Sequence, residues 1–187
     1  MSKILDYRMN IIKTLLISTN NQKALDFLLS HPDEEFFDRQ VSKLTGISKS
    51  GTNIALRNLA NAHLIKRTKR GRMLFYSVNN QDFLIKQLKI LQNLTSIYPL
   101  IQRLKSHCLE IILYGSTAIG ENSEDSDIDL FVLSRYPKKV KEIIYKSPFR
   151  EKVQYVINTP GEFVKSKKDN TVFYKEISKG IILWEQM

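Results

Sequence analysis

The sequence predicts an α+β protein in two modules: a helical N-terminal module that closes with a β-hairpin, then a small mixed-sheet α/β module. Three observations predict it. The chain's whole positive surplus lies in the first part. That part also shows helical periodicity broken by tight turns and followed by two short strands. The second part alternates short apolar strands with helical stretches. A length of 187 residues suits one medium domain or two small ones, and 42% hydrophobic residues supply a core, which excludes global disorder. No apolar run approaches the roughly 20 residues that cross a bilayer, and the N-terminus lacks a secretory layout, so a soluble cytoplasmic protein with no membrane partner is expected. Cys108 is the single cysteine, too few for an internal disulfide or a cysteine-based zinc site.

The charge has an address. Up to Lys105 there are 17 basic and 7 acidic residues, a net +10, and beyond it 12 of each. Such asymmetry argues for modules with different partners, the first of them anionic. The expected organisation is a first module over 1–80, a connecting helix over 81–105 and a second module over 106–187.

Residues 4–19 carry apolar side chains at helical spacing, and a second helix is expected over 21–30, with Ala24, Leu25, Leu28 and Leu29 on one face and a stop at His31-Pro32. Phe36-Phe37 reads as a short extended segment. Asp38 caps a helix with Val41 and Leu44 inward, ending at Thr45-Gly46. Ser48 then caps another helix that carries Ile54, Leu56 and Leu59 inward to about Asn61. Two short helices joined through a glycine turn are the layout of a helix-turn-helix. A strand over 64–67, a turn over 68–72 and a returning strand over 73–78 follow. Lys66, Arg67, Lys69, Arg70 and Arg72 gather there without an acid, which suits phosphate contact. The second helix of the pair is expected to expose Ser48, Lys49, Ser50, Thr52, Asn53 and Arg57, polar groups able to approach base edges and phosphates.

This order of helix, helix-turn-helix and hairpin resembles the winged-helix family of DNA-binding domains over about 21–79. The resemblance implies double-stranded DNA as partner, bound by Lys49, Ser50, Thr52, Asn53, Arg57, Lys66, Arg67, Lys69, Arg70 and Arg72. A basic turn is also what a solvated hairpin tip looks like, and winged helices also serve as protein-interaction modules. Residues 82–105 have the spacing of one long helix interrupted before Pro99. Its apolar stripe suits core packing or a dimer seam, and a homodimer is expected because operators are two-fold.

In the second module, 109–113 is a short apolar strand running into Tyr114-Gly115-Ser116, with a helix-like stretch over 117–120 and then an acidic loop. In the next strand, 127–133, a period of two puts Asp127 and Asp129 on one face. Two carboxylates side by side repel unless a cation lies between them, and oxygen-only ligation suits Mg²⁺. Gly115 permits a tight turn, and Ser116 offers a hydroxyl and an amide to a phosphate.

From Gly115-Ser116 through ten residues to Asp127-Ile128-Asp129, the chain closely resembles the GS-x10-DxD signature of the DNA polymerase β-like nucleotidyltransferase superfamily, in its minimal branch. The resemblance covers about 109–187. It implies a small mixed sheet flanked by helices and a nucleoside triphosphate (NTP) held at Gly115 and Ser116. It also implies Mg²⁺ (or Mn²⁺) on Asp127 and Asp129 as catalytic carboxylates, and nucleotidyl transfer. Two positions depart from the family. The third carboxylate falls on Gln154, in a strand over 152–157, and Glu151 lies on the opposite strand face. The basic residue usual in the minimal branch is Ile119 here.

Lys138, Lys139, Lys141, Lys146, Arg150 and Lys152 form a basic band around a helix over 138–145, either a solvated face or a further nucleic-acid surface. The segment 181–184 is expected to close the sheet with Trp184 in the core. The expected function is a Mg²⁺-dependent nucleotidyltransferase tethered to a DNA-binding module. The alternative is a winged-helix regulator whose nucleotidyltransferase-like domain is catalytically impaired and senses nucleotide or carries a partner. A third reading, implied by the resemblance, is that the second module belongs to a toxin–antitoxin style pair with a small helical protein, as minimal members often do.

Overall fold

The computed structural model describes residues 16–186, with the side chains of residues 167 and 168 outside the description. The helix expected over 4–19 lies almost wholly outside the described residues. The chain divides into two compact units, Met1–Thr95 and Ser96–Met187. No helix among the described residues is long and apolar enough to cross a membrane.

The first unit opens with α1 (Asn20–Ser30), capped by Thr19, whose side chain accepts from the Gln22 amide while the Gln22 side chain returns to the Thr19 backbone. A two-residue strand, β1 (Phe36–Phe37), leads into α2 (Asp38–Thr45), which ends on left-handed Gly46. Ser48 caps α3 (Lys49–Asn61) by accepting from the Gly51 amide at 3.2 Å. The chain then forms an antiparallel hairpin of β2 (Lys66–Arg70) and β3 (Met73–Ser77), and β1 joins on β3 to give the order β1-β3-β2. Leu28, Val41, Ile47, Ala55, Leu56, Ile65, Tyr76 and Ile85 form the core under these elements.

Several expectations change here. Leu44 and Ile54, placed inward from sequence, are each 60% exposed. The inward stripe of α3 is Thr52, Ala55, Leu56 and Leu59, a spacing of three, four and seven that turns Ile54 to solvent. The hairpin turn is Gly71-Arg72 alone, because Arg70 pairs with Met73 in register. Gly71, at φ +60°, takes the first central position of this two-residue turn, where a side chain would be strained.

Asp82 caps α4 (Phe83–Leu104) by accepting from the amides of Leu84 and Ile85 at 2.8 and 3.2 Å. This helix runs through Pro99 without the expected interruption. Proline costs a helix interior about 3 kcal/mol, and burial of Ile97, Leu100, Ile101 and Leu104 around it opposes that cost.

The second unit is a four-stranded sheet of order β6-β5-β4-β7, built from β4 (Glu110–Tyr114), β5 (Ile128–Leu133), β6 (Val153–Asn158) and β7 (Ile181–Glu185). The pair β5–β6 is parallel and the others antiparallel. A parallel pair needs a crossover, supplied by α6 (Pro137–Tyr145), while α5 (Gly115–Ile119) follows β4, starting two residues earlier than expected. Two further helices, α7 (Pro160–Asp169) and α8 (Thr171–Ile177), precede β7. Leu130, Phe131 and Val132 are all fully buried, so both faces of β5 are covered. Phe131 packs with Ile112, Tyr174 and Ile177 on the face that Asp129 shares. Trp184 is half-buried on edge strand β7 rather than in the core. Its Nε1 donates to the Cys108 carbonyl at 3.2 Å, and the Lys105 ammonium lies 5.6 Å from its ring centroid. The indole N–H requires a partner, and the edge provides one.

Candidate functional site

The first residues of β5 and the turn after β4 meet at one end of the sheet. Tyr114 pairs with Asp129 across β4–β5, and Asp129 pairs with Gln154 across β5–β6. Gly115 follows immediately at φ +72°, and a Cβ built there would fall on the Asp129 carboxylate. Gly115 is therefore required twice, by its backbone conformation and by the space that Asp129 fills. Ser116 stands half-buried in the first turn of α5.

The strand entry is pinned. Thr117 Oγ1, on α5, donates to the Asp127 carbonyl at 2.9 Å, and the Ile128 amide donates to the Lys152 carbonyl at 2.7 Å. The Ser123 amide donates to Ser126 Oγ at 2.8 Å and closes the acidic loop on itself. Sequence reasoning missed Thr117; its signal is a second hydroxyl beside Ser116 in the short α5, which carries little weight until β5 is placed beside it.

Burial, and next the charge of Asp127, push the Asp129 carboxyl above the usual aspartate range. Tyr114 is pushed up in the same way, by burial and then by Asp129. Gln154 Nε2 donates to Asp127 Oδ2 at 2.6 Å, so a neutral amide stands against the Asp127 carboxylate. Glu151 is ion-paired with Arg150 at 2.8 Å, and Ile119 is exposed. The donor set fits a divalent cation: two half-buried carboxylates at the entry of β5, with Asp129 pushed up by burial and then by the charge of Asp127, and only oxygen ligands between them.

In the first unit, Lys49, Ser50 and Arg57 are exposed on α3 and Asn53 is half-buried. Thr52 is fully buried, with Oγ1 donating to the Ile47 carbonyl at 3.5 Å, so it is removed from the outward set. Ile54 takes a place on that outer face. The signal was present in the spacing of Thr52, Ala55, Leu56 and Leu59 but was masked by the small size of Thr and Ala. The five hairpin cations are all exposed, but the pleat divides them: Lys66 and Arg70 on one face, Arg67 and Lys69 on the other, Arg72 in the turn. Arg70 is already engaged, ion-paired with Glu35 at 2.5 Å and lying 5.1 Å from the Phe75 ring centroid.

A mixed sheet that gathers a glycine-serine turn and two carboxylates at one end belongs to the class of α+β domains with an acidic strand-end site. A family model described as a nucleotidyltransferase domain matches residues 79–179, more than half of the chain, and the chain belongs to that family. The crystal structure of a proposed nucleotidyltransferase from Sulfolobus solfataricus aligns over 58% of this chain and 91% of its own, at 19% identity and a TM-score of 0.34. No curated protein matches the chain.

Proposed function

We propose that the chain transfers a nucleoside monophosphate from a nucleoside triphosphate to a hydroxyl acceptor at Gly115, Ser116, Asp127 and Asp129. The observation that carries this reading is the fit of Asp129 into the space left by Gly115, which joins the two halves of the sequence signature in one site. Asp127 and Asp129 would hold Mg²⁺ or Mn²⁺, which when bound polarises the α-phosphate and neutralises the pyrophosphate leaving group. Ser116 offers its hydroxyl and amide to the triphosphate, and the absent Cβ at Gly115 lets the backbone approach. Gln154 holds Asp127 in place through its amide. Labelled triphosphate with Mg²⁺ or Mn²⁺ and candidate hydroxyl acceptors tests the reading: transfer must disappear in the Asp127→Ala, Asp129→Ala double variant, and transfer that survives overturns it.

A second reading is favoured by one observation. Gln154 adds no negative charge and cannot take a proton from an acceptor, which suits a regulator with an impaired site that binds nucleotide or a partner. Metal-dependent turnover found only in Gln154→Asp would select it.

For the first unit we infer a winged helix that binds duplex DNA. The order of α1, β1, α2, α3 and the hairpin supports this, as do the outward Lys49, Ser50, Asn53, Ile54 and Arg57 and the hairpin cations. Pairing of two copies along α4 is supported by Leu84, Leu91 and Tyr98, exposed at seven-residue steps.

A further inference from the structure

The second unit's charges are segregated. From 121 to 129 the chain carries five acids and no base, whereas from 138 to 152 it carries six bases against Glu142 and Glu151. Most of these bases share the solvent side of α6 and the turn after it. Val140, Ile143 and Ile144 are buried, while Lys138, Lys139, Lys141 and Lys146 are exposed. Ion pairing absorbs part of the charge: Lys139 and Lys146 share Glu142 at 3.0 and 2.7 Å, and Arg150 holds Glu151 at 2.8 Å. A surplus of four positive charges remains on the segment.

Aromatic rings are interleaved with these cations. Tyr136 is 61% exposed, Tyr145 71% and Tyr155 39%. A merely solvated lysine face has no use for exposed rings. Cations with open rings between them match the phosphates and π-faces of unpaired bases. A duplex presents only base edges in its grooves, so the rings favour a single strand. The band also ends at the candidate site: Lys152 Nζ donates to the Glu124 carbonyl at 3.1 Å, in the acidic loop just before Asp127.

We propose that the outer face of α6 and the turn leading to β6 bind single-stranded nucleic acid, with phosphates on Lys138, Lys141 and Arg150 and a base stacked on Tyr145. The surface acts whether or not the carboxylate site turns over, and it is distinct from the hairpin of the first unit. The test uses the full chain carrying Arg67→Ala and Lys69→Ala, so that the hairpin contributes little. Fluorescence anisotropy follows a labelled mixed-sequence DNA strand of about 16 nucleotides, and the matching duplex, across a salt series. Adding Lys138→Ala, Lys141→Ala and Arg150→Ala lowers single-strand affinity about tenfold or more and flattens the salt slope by about 2, at roughly 0.7 per phosphate contact. Tyr145→Ala lowers single-strand affinity about tenfold, leaving the salt slope and the duplex affinity unchanged. All four side chains are exposed, and unchanged melting temperatures show that the variants fold. Less than a twofold loss in both variants overturns the proposal. So does equal loss for strand and duplex, or binding of phosphatidylserine vesicles without binding of either oligonucleotide.

Discussion

Replacing Asp129 by Asn removes one of two like charges from a site that pays for both. Residues two apart on one strand face lie about 6.7 Å apart. Two unit charges at that separation repel by about 2.5 kcal/mol at an effective dielectric of about 20, and by about 0.6 kcal/mol in bulk water. Both side chains are half-buried, so the isosteric change is expected to stabilise the metal-free protein by about 1 kcal/mol, or roughly 2–4 °C in Tm for a chain of this size. The pH dependence has a definite sign. The Asp129 carboxyl is raised in the folded state, by burial and then by Asp127, so the folded protein binds its proton more readily than the unfolded chain. The cost is therefore present at pH 7 and vanishes as pH falls through the raised value toward the ordinary aspartate range, and the variant's advantage shrinks with it. Mg²⁺ should reverse the order, stabilising the wild type and not the variant. Thermal melts in EDTA and in Mg²⁺ across this pH range provide the assay. A variant less stable than wild type in EDTA at pH 7, by the same amount at low pH, would refute the reasoning.

Gly115→Ala is expected to cost about 1–2 kcal/mol for the left-handed backbone alone, and it also displaces the Asp129 carboxylate. Denaturant melts should show the loss together with loss of Mg²⁺-dependent stabilisation. Thr52→Val keeps duplex affinity, since Thr52 is buried, whereas Arg57→Ala lowers it and flattens the salt slope by about 0.9; equal effects in an anisotropy titration would reverse the assignment of faces. The Cys108 thiol is buried and pushed up to about 12, so a thiol-reactive dye at pH 8 should label it only as the second unit unfolds. Rapid labelling of the native protein counts against that burial.

What the sequence disclosed was local in origin. Strand period sets Asp127 and Asp129 on one face, and the resemblance to the nucleotidyltransferase signature is what joins them to the turn at Gly115 and Ser116. Gln154 was reached through the same resemblance, which implies a third carboxylate on a later strand; the parallel register then sets it opposite Asp129. The errors arose where tertiary packing or small side chains decide. Ile54 outweighs Thr52 and Ala55 in hydrophobicity, yet those small residues fit against the core and turn Ile54 outward. A run of cations looks like a turn, but the cross-strand register extends β2 to Arg70 and splits the charges between two faces. Pro99 signals a break in isolation, and its buried neighbours hold the helix together. Trp184 reads as core by its size and lies on an edge because its N–H finds the Cys108 carbonyl there.

Gly115, Ser116, Asp127 and Asp129 are proposed to form one site for a metal-bound nucleoside triphosphate. Titration calorimetry with a non-hydrolysable triphosphate, in Mg²⁺ and in EDTA, on wild type and on the Asp127→Ala, Asp129→Ala double variant tests it most directly. The account predicts binding in wild type with Mg²⁺ and none in EDTA or in the double variant. Equal affinity in the double variant, or no binding to wild type under any of these conditions, would contradict it.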